Sequence, residues 1–136
     1  MTTNHLIGEH FNMENNKLIA KFMGYSQPHP DYPSTTYWYK QGKEPLTILL
    51  FDTDWNWLMA VVEKLESMEI EVRMNSHFNT TLKHTLYQTQ ICYDLKHKNC
   101  EPTHLYLSYN NVYKNRKDSI YNAVVEFIKW YNENNK

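Results

Sequence analysis

Between Leu46 and Leu65 the chain passes from an almost unbroken apolar run to a helical repeat, and the rest of the pattern is arranged around that change. Leu46, Ile48, Leu49, Leu50 and Phe51 form the run, bounded by Pro45 and Asp52. A run of this kind predicts a strand buried on both faces. Trp55, Leu58, Met59, Val62 and Leu65 then recur at helical spacing, predicting a helix that starts at Asp52 or Thr53 and ends near Glu69. Asp52 and Thr53 offer side-chain acceptors for free backbone donors, and Asp54 suits the positive end of the helix dipole.

The flanking pattern supplies further elements. Leu18, Ile19, Phe22 and Met23 make a short helical stripe after Asn15 and Asn16, either of which can cap it, and Gly24 ends it. The stretch from Gly24 to Ser34, with Pro28, Pro30 and Pro33, reads as a surface loop. Tyr37, Trp38 and Tyr39 suggest a strand, turned by residues 41–45 into the apolar run. Ile70, Val72 and Met74 alternate with Glu71, Arg73 and Asn75, the period of a strand with one buried face. Leu86 to Tyr93 and His104 to Tyr109 are two more strands, joined by a polar hairpin loop from Asp94 to Pro102.

A last helix starts at Asp118 or Ser119. Its stripe of Ile120, Val124, Phe127, Ile128 and Tyr131 is widened by Tyr121, Val125 and Trp130. The expected fold is therefore α+β: one domain over residues 1–136, with about five mainly antiparallel strands packed with two long helices and one short N-terminal helix. Leu49, Leu58, Val62, Val124 and Phe127 are its expected core.

Composition changes this picture in three ways. Only three glycines argue against glycine-rich phosphate loops, and two cysteines do not make a disulfide framework. The early residues Glu9, Glu14, Lys17 and Lys21 and the lack of a long apolar stretch argue against a signal peptide or membrane span, so a reducing host-cell cytoplasm is the expected compartment. The net charge of −1 hides a segregation: residues 1–71 hold five Lys against ten acids, whereas residues 72–117 hold seven Lys or Arg against two acids. That basic segment is the expected contact region for a macromolecular partner, and Lys83, Lys96, His97, Lys98, Tyr106, Lys114, Arg116 and Lys117 are its candidate partner-binding residues. Solvated lysines on sheet edges give the same pattern.

Four constellations bear on chemistry. Phe51-Asp52-Thr53-Asp54 has the two-aspartate form of haloacid-dehalogenase-type phosphotransferases, but Trp55-Asn56 replaces the usual Gly-Thr, and helix capping explains both carboxylates. Cys92, His97, Cys100 and His104 are competent zinc ligands at a spacing that matches no familiar finger, and strand alternation sets Cys92 and His104 on different faces; neither metal nor cofactor is expected. His29, His77 and His84 lack a nucleophile or carboxylate at diagnostic spacing. Tyr87, Tyr93, Tyr106, Tyr109 and Tyr113 are interleaved with basic residues, a composition able to stack bases and neutralise phosphates, although the aromatic motif of RNA-recognition domains is absent.

The segments Ile19-Ala20-Lys21-Phe22-Met23-Gly24, Trp55-Asn56-Trp57-Leu58-Met59-Ala60-Val61-Val62-Glu63-Lys64-Leu65 and Tyr121-Asn122-Ala123-Val124-Val125-Glu126-Phe127-Ile128-Lys129-Trp130-Tyr131-Asn132 resemble those of small phage and mobile-element proteins of Bacteroidota. Asn56 and Ala60 depart from that family's Trp-Asp-Trp-Leu-Met-Pro pattern, and residues 72–117 have no counterpart in it. The resemblance covers about a third of the chain and brings no catalytic residues. It implies a non-enzymatic binding protein that occupies a host protein or ribonucleoprotein, with an inhibitor of a defence effector such as a CRISPR nuclease as the favoured form. The alternative is an RNA- or DNA-binding protein using a basic Tyr-rich sheet face, and a metal-dependent phosphotransferase or hydrolase comes third.

Overall fold

The structure, a computed structural model, describes residues 2–27, 37–94, 104–108 and 115–134, with side chains at 12–27, 37–93 and 115–134. The chain divides into two compact units, Met1–Asp54 and Trp55–Lys136.

The first unit is built on helix α1, Thr2–Phe22. At 21 residues it is the longest helix described, a correction to the short helix expected after Asn15 and Asn16. The reason lies in its inward side: Asn15 and Asn16 are buried beside Ile19 and Ala20, so the helix carries amides where an apolar stripe would have announced it. Its end is conventional in chemistry. Gly24 takes a φ of 95°, Tyr25 N–H donates to the Ala20 carbonyl at 2.9 Å and Gly24 N–H to Lys21 at 3.0 Å, the paired bonds that close a helix through a left-handed residue.

The rest of this unit overturns the expected first hairpin. Tyr37 to Tyr39 and the run Leu46 to Phe51 form no ladder; they contribute isolated bridges, Ser26 to Tyr39 and Trp38 to Leu46. Ile48 is 62% exposed, Leu49 and Leu50 are half-buried, and only Trp38 and Phe51 are core. The Leu49 carbonyl accepts from the Asn16 side-chain amide at 3.2 Å, so a helix side chain does what a neighbouring strand would have done for it. Asp54 N–H donates to the Leu50 carbonyl at 2.8 Å, turning the chain out of the run.

The second unit begins with α2, Trp55–Ser67, whose buried Leu58, Val61, Val62 and Leu65 follow the helical period. Asp54, immediately before it, holds the capping position expected of Asp52 or Thr53. The helix ends on Glu69, a residue with a φ of 63°, with Ile70 N–H donating to Leu65 at 3.0 Å and Glu69 N–H to Glu66 at 3.0 Å. Ile70 is buried, the apolar contact that accompanies such an ending.

Three strands follow: β1 Glu71–Asn79, β2 His84–Asp94 and β3 His104–Ser108. They form one antiparallel sheet in the order β1-β2-β3. The expectation of about five strands is thus corrected to three among the described residues, because the two amino-terminal candidates never pair as strands; the mixture of helix and strand remains. Helix α3, Arg116–Asn134, lies against β2, and α2 packs against both β1 and α3. Asn115 caps α3, its Oδ1 accepting from Lys117 N–H at 2.8 Å and Asp118 N–H at 3.3 Å. The helix therefore starts two or three residues before the expected Asp118 or Ser119.

The core of this unit is the α3 to β2 contact. Tyr93 meets Trp130, Phe127 and Tyr131 edge-on at centroid distances of 5.6, 6.2 and 6.4 Å, and Thr89 and Ser119 share a buried hydroxyl hydrogen bond of 2.8 Å. Phe127 is fully buried. Phe127→Ala is expected to cost about 3 to 5 kcal/mol in denaturant unfolding, as large-to-small changes in packed cores do; a loss below about 1 kcal/mol would place this face of α3 outside the core.

Candidate binding surface

Helix α3 tracks β2 over only part of its length. Arg116 lies over the Tyr87 ring at 5.1 Å, Ser119 meets Thr89, and Phe127 to Tyr131 meet Tyr93. From Tyr87 to Tyr93 the strand rises roughly 20 Å, and from Arg116 to Trp130 the helix rises roughly 21 Å, so the two run in the same direction in step. The helix begins at Tyr87, and Tyr87 pairs with Ser76. Strand residues beyond that pair, 77–79 and 84–86, with the turn 80–83, extend past the start of α3.

Two limits of helix cover change what the period-two pattern means: α3 lies against β2 rather than β1, which leaves Met74 open although it is level with Thr89, and α3 starts short of Phe78. Val72 is half-buried, but Met74 and Phe78, next on the same face of β1, are 41% and 60% exposed. Leu82 in the turn is also exposed. The strand alternation correctly separates two faces and overstates how much of one of them is covered. The turn is nonetheless ordered by its own bonds: Leu82 N–H donates to Asn79 Oδ1 at 2.8 Å, Lys83 N–H to the Asn79 carbonyl at 2.8 Å, and Lys83 takes a φ of 57°. His84 Nδ1 lies 3.0 Å from the Leu82 carbonyl, within hydrogen-bond reach.

Of the residues expected to contact a partner, Lys83 stands exposed in this turn, and Arg116 and Lys117 open α3 beside Tyr87. Position 106 lies in β3 opposite Cys92. Lys96, His97, Lys98 and Lys114 lie outside the described residues. The structure adds Met74, Phe78 and Leu82: alternation alone puts Met74 on a buried face, and charge does not mark Phe78 or Leu82.

The placement of Arg116 and Lys117 runs against local electrostatics. Cations at the positive end of a helix cost about 0.3 to 1 kcal/mol each when exposed. Asp118 in the same turn and the Tyr87 ring beneath Arg116 offset this, the ring contact being worth about 0.5 to 1 kcal/mol at an exposed site. Such a local rule is commonly broken where a surface serves binding.

The other constellations separate. Position 104 pairs with Asp94, so positions 92 and 104 share a sheet face, contrary to the alternation argument, while His97 and Cys100 lie outside the described residues. Among the described residues no group of three or more His, Cys, Asp or Glu is arranged to hold a metal. Burial pushes the Cys92 thiol above its ordinary pKa, opposed by nearby Arg73 and reinforced by Glu71. Burial and then Tyr131 likewise raise Tyr93.

Asp52 in the amino-terminal unit belongs to a structural clamp. Its Oδ1 accepts from the Asn16 amide at 2.8 Å and its Oδ2 from Asn12 at 3.3 Å, tying α1 to the segment that leads out of the apolar run. A neighbouring cleft of about 460 Å³ is lined by Trp38, Ile48, Leu49, Met13 and the polar Asn16, Lys17, Gln27 and Thr47. Among the described residues no helix is long and apolar enough to cross a membrane. Comparison with known protein families, with characterised proteins and with solved structures finds no match.

The clamp leads to a defined expectation. Asp52→Ala removes the carboxylate that accepts from both the Asn12 and Asn16 amides and should cost about 1 to 3 kcal/mol in unfolding free energy. A variant of unchanged stability would remove the clamp from the account and return Asp52 to the list of chemical candidates.

Proposed function

We propose that the chain acts by macromolecular contact, as an inhibitor of phage type that occupies a protein effector of its host, a defence effector such as a CRISPR nuclease being the target class. The reading rests on one observation: α3 starts with cations, Arg116 over Tyr87, where a β-hairpin continues past the helix and exposes apolar side chains. A rigid frame carrying an exposed, partly apolar and basic end is the arrangement that binding surfaces use, with apolar anchors giving affinity and charges giving rate and register. The excess of seven basic residues over two acidic ones in residues 72–117 selects an acidic partner surface.

A nucleic-acid partner is the second reading, supported by the Arg116 contact with Tyr87, since guanidinium and aromatic planes both stack on bases.

The test replaces Lys83, Arg116 and Lys117 by Glu together, with Lys40→Glu/Lys43→Glu as a control, and compares capture from host lysate with and without nuclease. Glutamates at the start of α3 suit its dipole, so thermal stability should hold or rise while partner capture falls at least about tenfold. A partner lost on nuclease treatment transfers the surface to RNA or DNA. Undiminished capture by the triple variant would refute the reading.

A further inference from the structure

The outer edge of β1 is the least guarded feature of the sheet. Among the described residues nothing pairs with it, and a long exposed edge invites a further strand, roughly one backbone residue in two turning its N–H and C=O outward. Natural edges are blunted by shortness, by Lys, by Pro or by a bulge. β1 has nine residues against a usual five or six, its register with β2 runs unbroken through nine pairs, and it contains no Lys, Pro or Gly. Its charges are Glu71 and Arg73, both at one end and paired with each other at 2.7 Å.

We propose that this edge binds β1 of a second copy, antiparallel, about a two-fold axis at Ser76. In that register Met74 of each copy stands opposite Phe78 of the other, so the two exposed apolar residues of the strand cover each other. Ser76 meets Ser76 on the axis. On the opposite face Arg73 meets Asn79 and Asn75 meets His77, so no like charges oppose one another, and Glu71 falls beyond the end of the partner strand. Moving the axis to Asn75 sets Met74 against Ser76 and Phe78 against the half-buried Val72, which loses the apolar match.

The two-fold also resolves the overhang. Helix α2 runs into β1 through Ile70, so it lies near the first residues of the strand, whereas among the described residues no helix starts or ends at its far end. Antiparallel pairing brings the α2 end of one copy beside the bare end of the other. The result is one continuous six-stranded sheet with the helices of both copies on the same face, closed by an isologous contact. Met74 and Phe78 also lie on the surface assigned to the partner, whereas Lys83, Arg116 and Lys117 take no part in this pairing, so charge reversal at those three tests the partner contact and leaves the two-fold contact intact.

Sedimentation and light scattering of the full chain over a wide concentration range should show a reversible species of twice the chain mass. Met74→Lys and Phe78→Lys, at positions already exposed, should each weaken it at least tenfold while circular dichroism and melting temperature stay those of the parent. With Cys100→Ser leaving the buried Cys92 as the only native thiol, Ser76→Cys should form a covalent dimer under diamide far faster than Asn75→Cys, because only position 76 meets itself on the axis, with Cβ atoms about 4.5 to 5.5 Å apart. A chain that stays monomeric at every concentration, a dimer indifferent to both lysines, or preferential crosslinking through Asn75→Cys would overturn the proposal.

Discussion

The register of α3 along β2 is the constraint on which the carboxy-terminal unit depends. It is pinned at both ends: by the Thr89 to Ser119 hydrogen bond near the helix start and by the Tyr93 ring among Phe127, Trp130 and Tyr131 near its end. Edge-to-face ring pairs contribute about 0.5 to 1.5 kcal/mol each beyond their buried area, and a hydroxyl pair with no access to water must stay bonded or lose about 1 to 3 kcal/mol. Sliding the helix by one turn, about 5.4 Å, breaks both sets at once. The contact is therefore a ruler as much as a source of stability.

The ruler explains where the exposed surface falls. With the helix end fixed by aromatics and its start fixed by the Asn115 cap, α3 cannot reach beyond Tyr87, whereas the β1-β2 ladder continues to the Asn79 to His84 pair. Phe78 and Leu82 are exposed because the frame is shorter than the hairpin, and Arg116 and Lys117 occupy the boundary because the cap puts them there. The basic end of the helix and the exposed tip of the hairpin are two consequences of the same mismatch in length.

The elements that could be read from the sequence are those whose apolar period coincides with their burial. Leu58, Val62 and Leu65 in α2, and Ile120, Val124, Phe127 and Ile128 in α3, repeat at helical spacing and are buried as that spacing requires. α1 was misjudged because its inward face uses Asn16, whose amide serves Leu49 and Asp52, and hydropathy does not register an amide that finds partners. The run from Leu46 to Phe51 misled in the opposite sense, since apolar character does not require a ladder when a side chain satisfies the backbone. Lys83, Arg116 and Lys117 stood out by charge alone. Met74 and Phe78 did not, because whether an alternating face is covered depends on which strand a helix some forty residues later lies against and on where that helix starts.

Native-state hydrogen exchange on dilute protein tests this ruler most directly, because it reads stability residue by residue. Amides at 89–93 and at 120–128 should exchange only through global unfolding, with free energies equal to that of the whole carboxy-terminal unit. Amides at 77–79 and 84–86 should exchange through local opening at markedly lower free energy, with the change falling near Tyr87. Uniform protection along the hairpin, or slower exchange at its tip than at 89–93, would contradict the account.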